Sequence, residues 1–171
     1  GNLLAAATLS EDFSQQLRGL ASAPANLAAE FLSQAEVYLR QRPGMGPTEF
    51  LDVATRIAKN NDRHAEALAL IEQYASQATV PALARSVSVF ADAASIDAST
   101  LQQLQAVVDE ALRQHDRPLE ILDAQAKVLV AAERFNEAEQ IYREMMTRDE
   151  ANYVVKNNLA ELLGLQGQHL D

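Results

Sequence analysis

The chain reads as an all-α protein, and three observations lead there. Apolar residues recur at helical spacing in paired runs: Leu122, Ala126 and Leu129 on one run, Ala138, Ile141, Tyr142 and Met145 on the next. Alanine is abundant while aromatic residues make up only 5% and tryptophan is absent, a composition suited to closely packed helices. Finally, there are just six glycines and five prolines, and no stretch alternates apolar and polar residues as a half-buried strand would. At 171 residues and 48% hydrophobic content, the chain is long and apolar enough to bury a core.

The elements follow in order. Residues 8–42 hold two helical runs, 10–21 and 25–41, divided at Ala23-Pro24; Leu27, Phe31, Ala35 and Tyr38 stripe the second. Glu11-Asp12 suits the positive end of the first helix dipole. Arg42-Pro43-Gly44-Met45-Gly46-Pro47 is the strongest loop signal. In 48–81, Leu51, Ala54 and Ala58 stripe one helix and Ala67, Leu70, Ile71 and Tyr74 the next, with a start at Pro47-Thr48 and a stop at Pro81. In 82–117, Val87, Phe90, Ala91 and Ala94 pair with Leu101, Leu104, Val108 and Ala111 across a turn at 95–99.

In 118–152 the two runs meet at Arg134-Phe135-Asn136, with Asn136 as the expected N-cap and Glu139 in the capping-box position. The last segment, 153–171, offers one helix with Asn158, Leu159, Ala160 and Leu163 and a turn expected at Gly167. Val154, Val155, Leu159, Leu162, Leu163 and Leu165 lack a following helix, so this end is expected to expose an apolar patch and form concentration-dependent homodimers.

Residues 119–152 span 34 positions and resemble a tetratricopeptide (TPR) repeat, with Ala126, Ala138 and Tyr142 at that family's small, small and aromatic positions. Asn157-Asn158-Leu159-Ala160 is a second TPR-like phrase. Ala67 and Ala138 lie 71 residues apart, close to two such repeats. Glu150 departs from the pattern, standing where the family usually has proline and leaving the exit from the second helix less fixed. The resemblance implies a right-handed α-α superhelix, a solenoid of antiparallel helix pairs. Its units are 48–81, 82–117, 118–152 and a partial 153–171, preceded by a degenerate, cap-like pair in 1–47, all in one continuous domain. Gly1 in place of methionine and the incomplete last repeat suggest a piece of a larger protein, and the loose, alanine- and glutamine-rich style of the repeats suggests a bacterial one.

Charge and chemistry narrow the function classes. The net charge is −10, with the largest acidic excess, −4, over 118–152 and no basic segment. That argues against nucleic acid and against anionic membranes, both of which are held by lysine and arginine. No run of apolar residues is long enough to span a bilayer, and Leu3-Leu4-Ala5-Ala6-Ala7 is too short for a signal-peptide core; the compartment is left open, with the cytoplasm favoured. There is no cysteine, and His64, His115 and His169 share no metal-ligand spacing, so neither a metal nor another cofactor is expected. Gly44-Met45-Gly46 lacks the remaining glycine and lysine of a phosphate loop, and no serine sits in a GxSxG elbow. Catalysis is not expected.

What the resemblance leaves is a binding groove for a partner protein or peptide. In TPR solenoids the first helices line a concave surface, and positions 2, 5, 9 and 12 of each face the ligand. Here those positions correspond to Glu49, Asp52, Arg56 and Lys59, then Arg85, Ser88, Asp92 and Ser95. Next come Glu120, Asp123, Lys127 and Val130, and finally Asn157 and Glu161. Asp52–Arg56 and Asp123–Lys127 also stand four residues apart, where opposite charges support their own helix. The mixed charge suits a polar peptide of both signs. Acids stand where TPR clamps for acidic EEVD-type chaperone tails need lysine and asparagine, so no binding of such tails is expected. The alternative function is a regulatory or spacer solenoid within a larger, multidomain protein.

Overall fold

The computed structural model describes residues 30, 48, 51, 55, 56, 59, 63–92 and 96–168. Among them every regular element is helical. Helix α1 spans His64–Tyr74, α2 Val80–Ala91, α3 Ala98–Gln114, α4 Leu119–Ala131, α5 Phe135–Arg148 and α6 Tyr153–Gln168. The chain divides into two compact units, 1–86 and 87–171.

In the first unit, Leu51 and Thr55 are fully buried, and the Thr55 hydroxyl donates to the Leu51 carbonyl at 2.7 Å, the bond a helical threonine makes to the turn before it. Helix α1 buries Ala67, Leu68, Ile71 and Tyr74. The expected stripe named Leu70 in place of Leu68; Leu70 is only half-buried, because the buried face extends to the Leu68 side of the Ala67–Ile71–Tyr74 line and not to the Leu70 side. The Thr79 N–H donates to the Thr48 hydroxyl at 3.1 Å, so the entry to α2 is tied to a residue 31 positions earlier. Ala54, Ala58, Ala94, Glu49 and Asp52, together with everything expected of residues 1–29 and 31–47, among them the Phe31–Ala35–Tyr38 stripe and the loop at 42–47, lie outside the described residues.

In the second unit, α3 packs on α4, α4 on α5 and α5 on α6. Asp97 caps α3: its carboxylate accepts from the Thr100 N–H at 2.9 Å and from the Thr100 hydroxyl at 2.8 Å. The helix starts at Ala98, so the turn expected over 95–99 ends earlier, at the residue that can supply a cap. Leu101, Leu104, Val108, Ala111 and Leu112 form its buried stripe.

Helix α4 has a neighbour on either side, and it buries two stripes rather than one. Leu122, Ala126 and Leu129 are joined by Ile121, Ala124 and Val128. Three of these six are alanine or valine, which lets the neighbours approach. Each fully buried leucine or isoleucine contributes about 1.5–3 kcal/mol of transfer free energy.

Helix α5 buries Ala138, Tyr142 and Met145, and α6 places Val155, Leu159 and Leu162 in the core. Helix α5 begins at Phe135, with Arg134 at its N-cap and no side-chain cap. The expected cap at Asn136 is therefore wrong. The reason lies one turn earlier: the Arg134 N–H closes α4 by donating to the Leu129 carbonyl at 2.8 Å, while its guanidinium grips Glu137 at 2.7 and 2.6 Å. One residue ends one helix and begins the next, leaving no room for a later cap. Asn136 instead accepts from Gln166 at 3.3 Å, and Glu139 pairs with Arg143 at 2.7 Å.

The exit at Glu150 is held without proline. The Asp149 carboxylate accepts from the Ala151 N–H at 3.2 Å, and the Asn152 side chain accepts from Val155 N–H at 3.2 Å. Helix α6 runs through Gly167 to Gln168, so the turn expected at Gly167 is absent. A methyl group at Gly164 or Gly167 would meet nothing within 4 Å, and neither glycine answers a packing need.

Candidate functional site

A concavity of about 560 Å³ lies within the second unit, built from four helices and the loop residue Ile96. Ala91 and Asp92 come from the end of α2, Ile96 from the loop, and Lys127, Val130 and Ala131 from the last turns of α4. Asn158, Glu161, Leu162 and Leu165 come from α6, and Tyr142 of α5 lies at its base. The helix geometry explains the choice from α4. Between its buried stripes α4 leaves an arc that carries Glu120, Asp123, Lys127, Val130 and Ala131, and the last three reach the concavity.

Asp123 organises the polar side. One carboxylate oxygen pairs with the Lys127 ammonium at 3.0 Å, and the other accepts from the Asn158 side-chain amide at 3.2 Å. It thereby ties α4 to α6 and holds Lys127 back against its own helix. Tyr142, only 3% exposed, sits beneath. Burial pushes its hydroxyl above the ordinary phenol range, the Asp123, Asp92 and Glu161 carboxylates push it further, and a hydrogen bond with Asn158 partly opposes them. The phenol thus stays protonated. Among the described residues no hydrogen bond or ion pair engages the Asp92 carboxylate. Glu161 accepts only a long bond, 3.4 Å, from Asn157.

Of the groove residues expected from sequence, Asp92, Lys127, Val130 and Glu161 are brought together here. Asp123 adjoins them as an anchor. Glu120 and Asn157 are exposed and do not line the concavity. Arg85, Arg56 and Lys59 belong to the first unit, and Glu49, Asp52 and Ser95 lie outside the described residues. Sequence reasoning did not place Ala131, Asn158, Leu165, Tyr142 or Ile96 at the site. The repeat offset carries the missing signal for two of them: Ala131 and Leu165 stand 34 positions apart, as do Lys127 and Glu161.

A second concavity, of about 710 Å³, includes Asp109, Arg113, Asp116, Arg117 and Gln125. Apart from Asp116, its charges are already engaged. Arg117 grips Glu144 at 3.2 and 2.7 Å, Arg113 pairs with Glu110, and Asp109 accepts from Gln105 at 2.8 Å and Gln125 at 3.3 Å.

Among the described residues no three histidines, cysteines or carboxylates are grouped to hold a metal ion, and no helix is long and apolar enough to cross a membrane. Compared with protein-family models, curated proteins and solved structures, the chain matches none.

Proposed function

We propose that this chain is a TPR-like helical-repeat scaffold, a right-handed α-α superhelix, that binds an extended segment of a partner protein in the concavity formed by its first helices. One observation carries the reading. Asp92, Lys127 and Glu161 stand 35 and 34 residues apart, at the same position of three successive units, and all three line one concavity. Equivalent positions of an irregular helical bundle have no reason to converge, whereas in stacked helix pairs each repeat presents the same position to the same surface.

The lining supports binding rather than chemistry. It combines apolar contact from Ile96, Val130 and Leu165 with a few charged and amide groups, the composition of a recognition groove. Its polar groups mostly position one another: Asp123 orients Lys127 and Asn158, and none is aimed as a nucleophile–base pair.

The test is an unbiased array of immobilised dodecapeptides probed with wild type and with Val130→Trp, which fills the concavity without changing charge. Leu165→Trp is a second blocked variant, and circular dichroism checks that each retains its helices. Peptides bound by wild type and lost by both blocked variants are the expected result. Peptides bound equally by all three proteins would move the binding surface elsewhere, and no bound peptide at all would favour the spacer role.

A further inference from the structure

The charge of the groove names the kind of segment it takes. Two carboxylates, Asp92 and Glu161, line the concavity with a single ammonium, Lys127, and a third, Asp123, adjoins it and pairs with that ammonium. Asp123 uses both oxygens internally, on Lys127 and Asn158, and so cancels the one positive charge. Asp92, without a side-chain partner among the described residues, and Glu161, which accepts only the long bond from Asn157, remain exposed and share the lining with the apolar Ile96, Val130 and Leu165. The buried Tyr142 phenol below registers the field of all three carboxylates. An acidic occupant would meet repulsion from both carboxylates; a basic one would meet attraction, with Lys127 already held by Asp123.

We infer that the occupant is a peptide segment presenting a lysine or arginine to Asp92 and Glu161, with an apolar neighbour resting on Ile96, Val130 and Leu165. This rests on the groove reading above and narrows it: the mixed-sign ligand expected from sequence becomes a cationic one, because Asp123 removes Lys127 from the partner-facing charge.

The same peptide array tests it, with affinities then measured for the strongest binder by fluorescence anisotropy. Enrichment of lysine or arginine beside an apolar residue is expected among peptides that Val130→Trp loses. Asp92→Asn and Glu161→Gln should each weaken that binder about two- to fivefold, as for exposed ion pairs. Lys127→Met should strengthen it by a similar factor, an opposite sign that general damage to the groove would not produce. Higher salt should weaken binding to wild type more than to the doubly neutralised Asp92→Asn, Glu161→Gln protein. Groove-dependent peptides without basic enrichment, or unmoved by the three charge variants, would overturn this inference and leave the groove standing. Peptides indifferent to both blocked variants would overturn the two together.

Discussion

Arg117 shows how single residues hold this fold. It and Asp116 both adopt left-handed backbone, φ 54° each, in the turn between α3 and α4, where glycine would be the easier choice. The conformation is held from outside. The Arg117 guanidinium grips Glu144 on α5 at 3.2 and 2.7 Å, and Arg148 donates both to the Arg117 carbonyl at 2.7 Å and to Glu144 at 2.5 Å. The Arg117 hydrogen bonds and charge, with Arg148 beside them, hold the Glu144 carboxyl below the ordinary carboxylate range. A lowered folded-state pKa gives stability that is present above the unfolded pKa and is lost as pH falls through the folded one. Glu144→Gln should therefore lower stability by about 1 kcal/mol near neutral pH, a figure discounted for the exposure of both partners. Urea midpoints of the two proteins should converge as the pH drops below the carboxylate range; a gap that persists in acid would show that packing rather than charge is lost. None of this was readable beforehand. A 27-residue separation between Arg117 and Glu144 leaves no local pattern, and nothing in the sequence marks a left-handed arginine.

At the scale of elements, local periodicity was the readable part and neighbours were not. The stripe Leu101–Leu104–Val108–Ala111 is buried as its spacing implies, and of Ala138, Ile141, Tyr142 and Met145 all but the half-buried Ile141 are. For α4 the same reasoning found only half of the buried surface, because a single stripe presumes a single neighbour and this helix has two. The misplaced Asn136 cap has a related cause: a side-chain cap can be recognised locally, but a shared Arg134 depends on where the preceding helix ends. At the site, the repeat offset made Asp92, Lys127 and Glu161 legible, whereas Tyr142 and Asn158 required knowing which helix lies beneath which. The two-sided burial of α4 has a measurable consequence. Ala126→Leu inserts bulk where exposure is 0% and should cost about 1–3 kcal/mol by overpacking. Ala131→Leu, on the free arc of the same helix, should leave the urea midpoint nearly unchanged. If the two behave alike, α4 is not held on both flanks.

For the whole molecule, net charge and the remaining apolar surface act against each other. The apolar patch expected on the last helix is smaller than the sequence implied, since Val155, Leu159 and Leu162 are consumed in the core. Tyr153, Val154, Leu163 and Leu165 remain, 82, 66, 43 and 39% exposed. Dimers formed through this surface must bring together two chains of charge −10. Self-association is driven by apolar burial and opposed by repulsion, so it should strengthen with added salt as that repulsion is screened. Cationic peptide binding should move the other way under the same change. Sedimentation velocity at low and high ionic strength separates these forces. Wild type is expected to show more dimer at high salt, and Val154→Ser with Leu163→Ser, which adds no charge, should remain monomeric at both. Dimers that persist in this variant would place the interface away from α6, and dimers that dissolve with salt would identify an ionic contact in place of an apolar one.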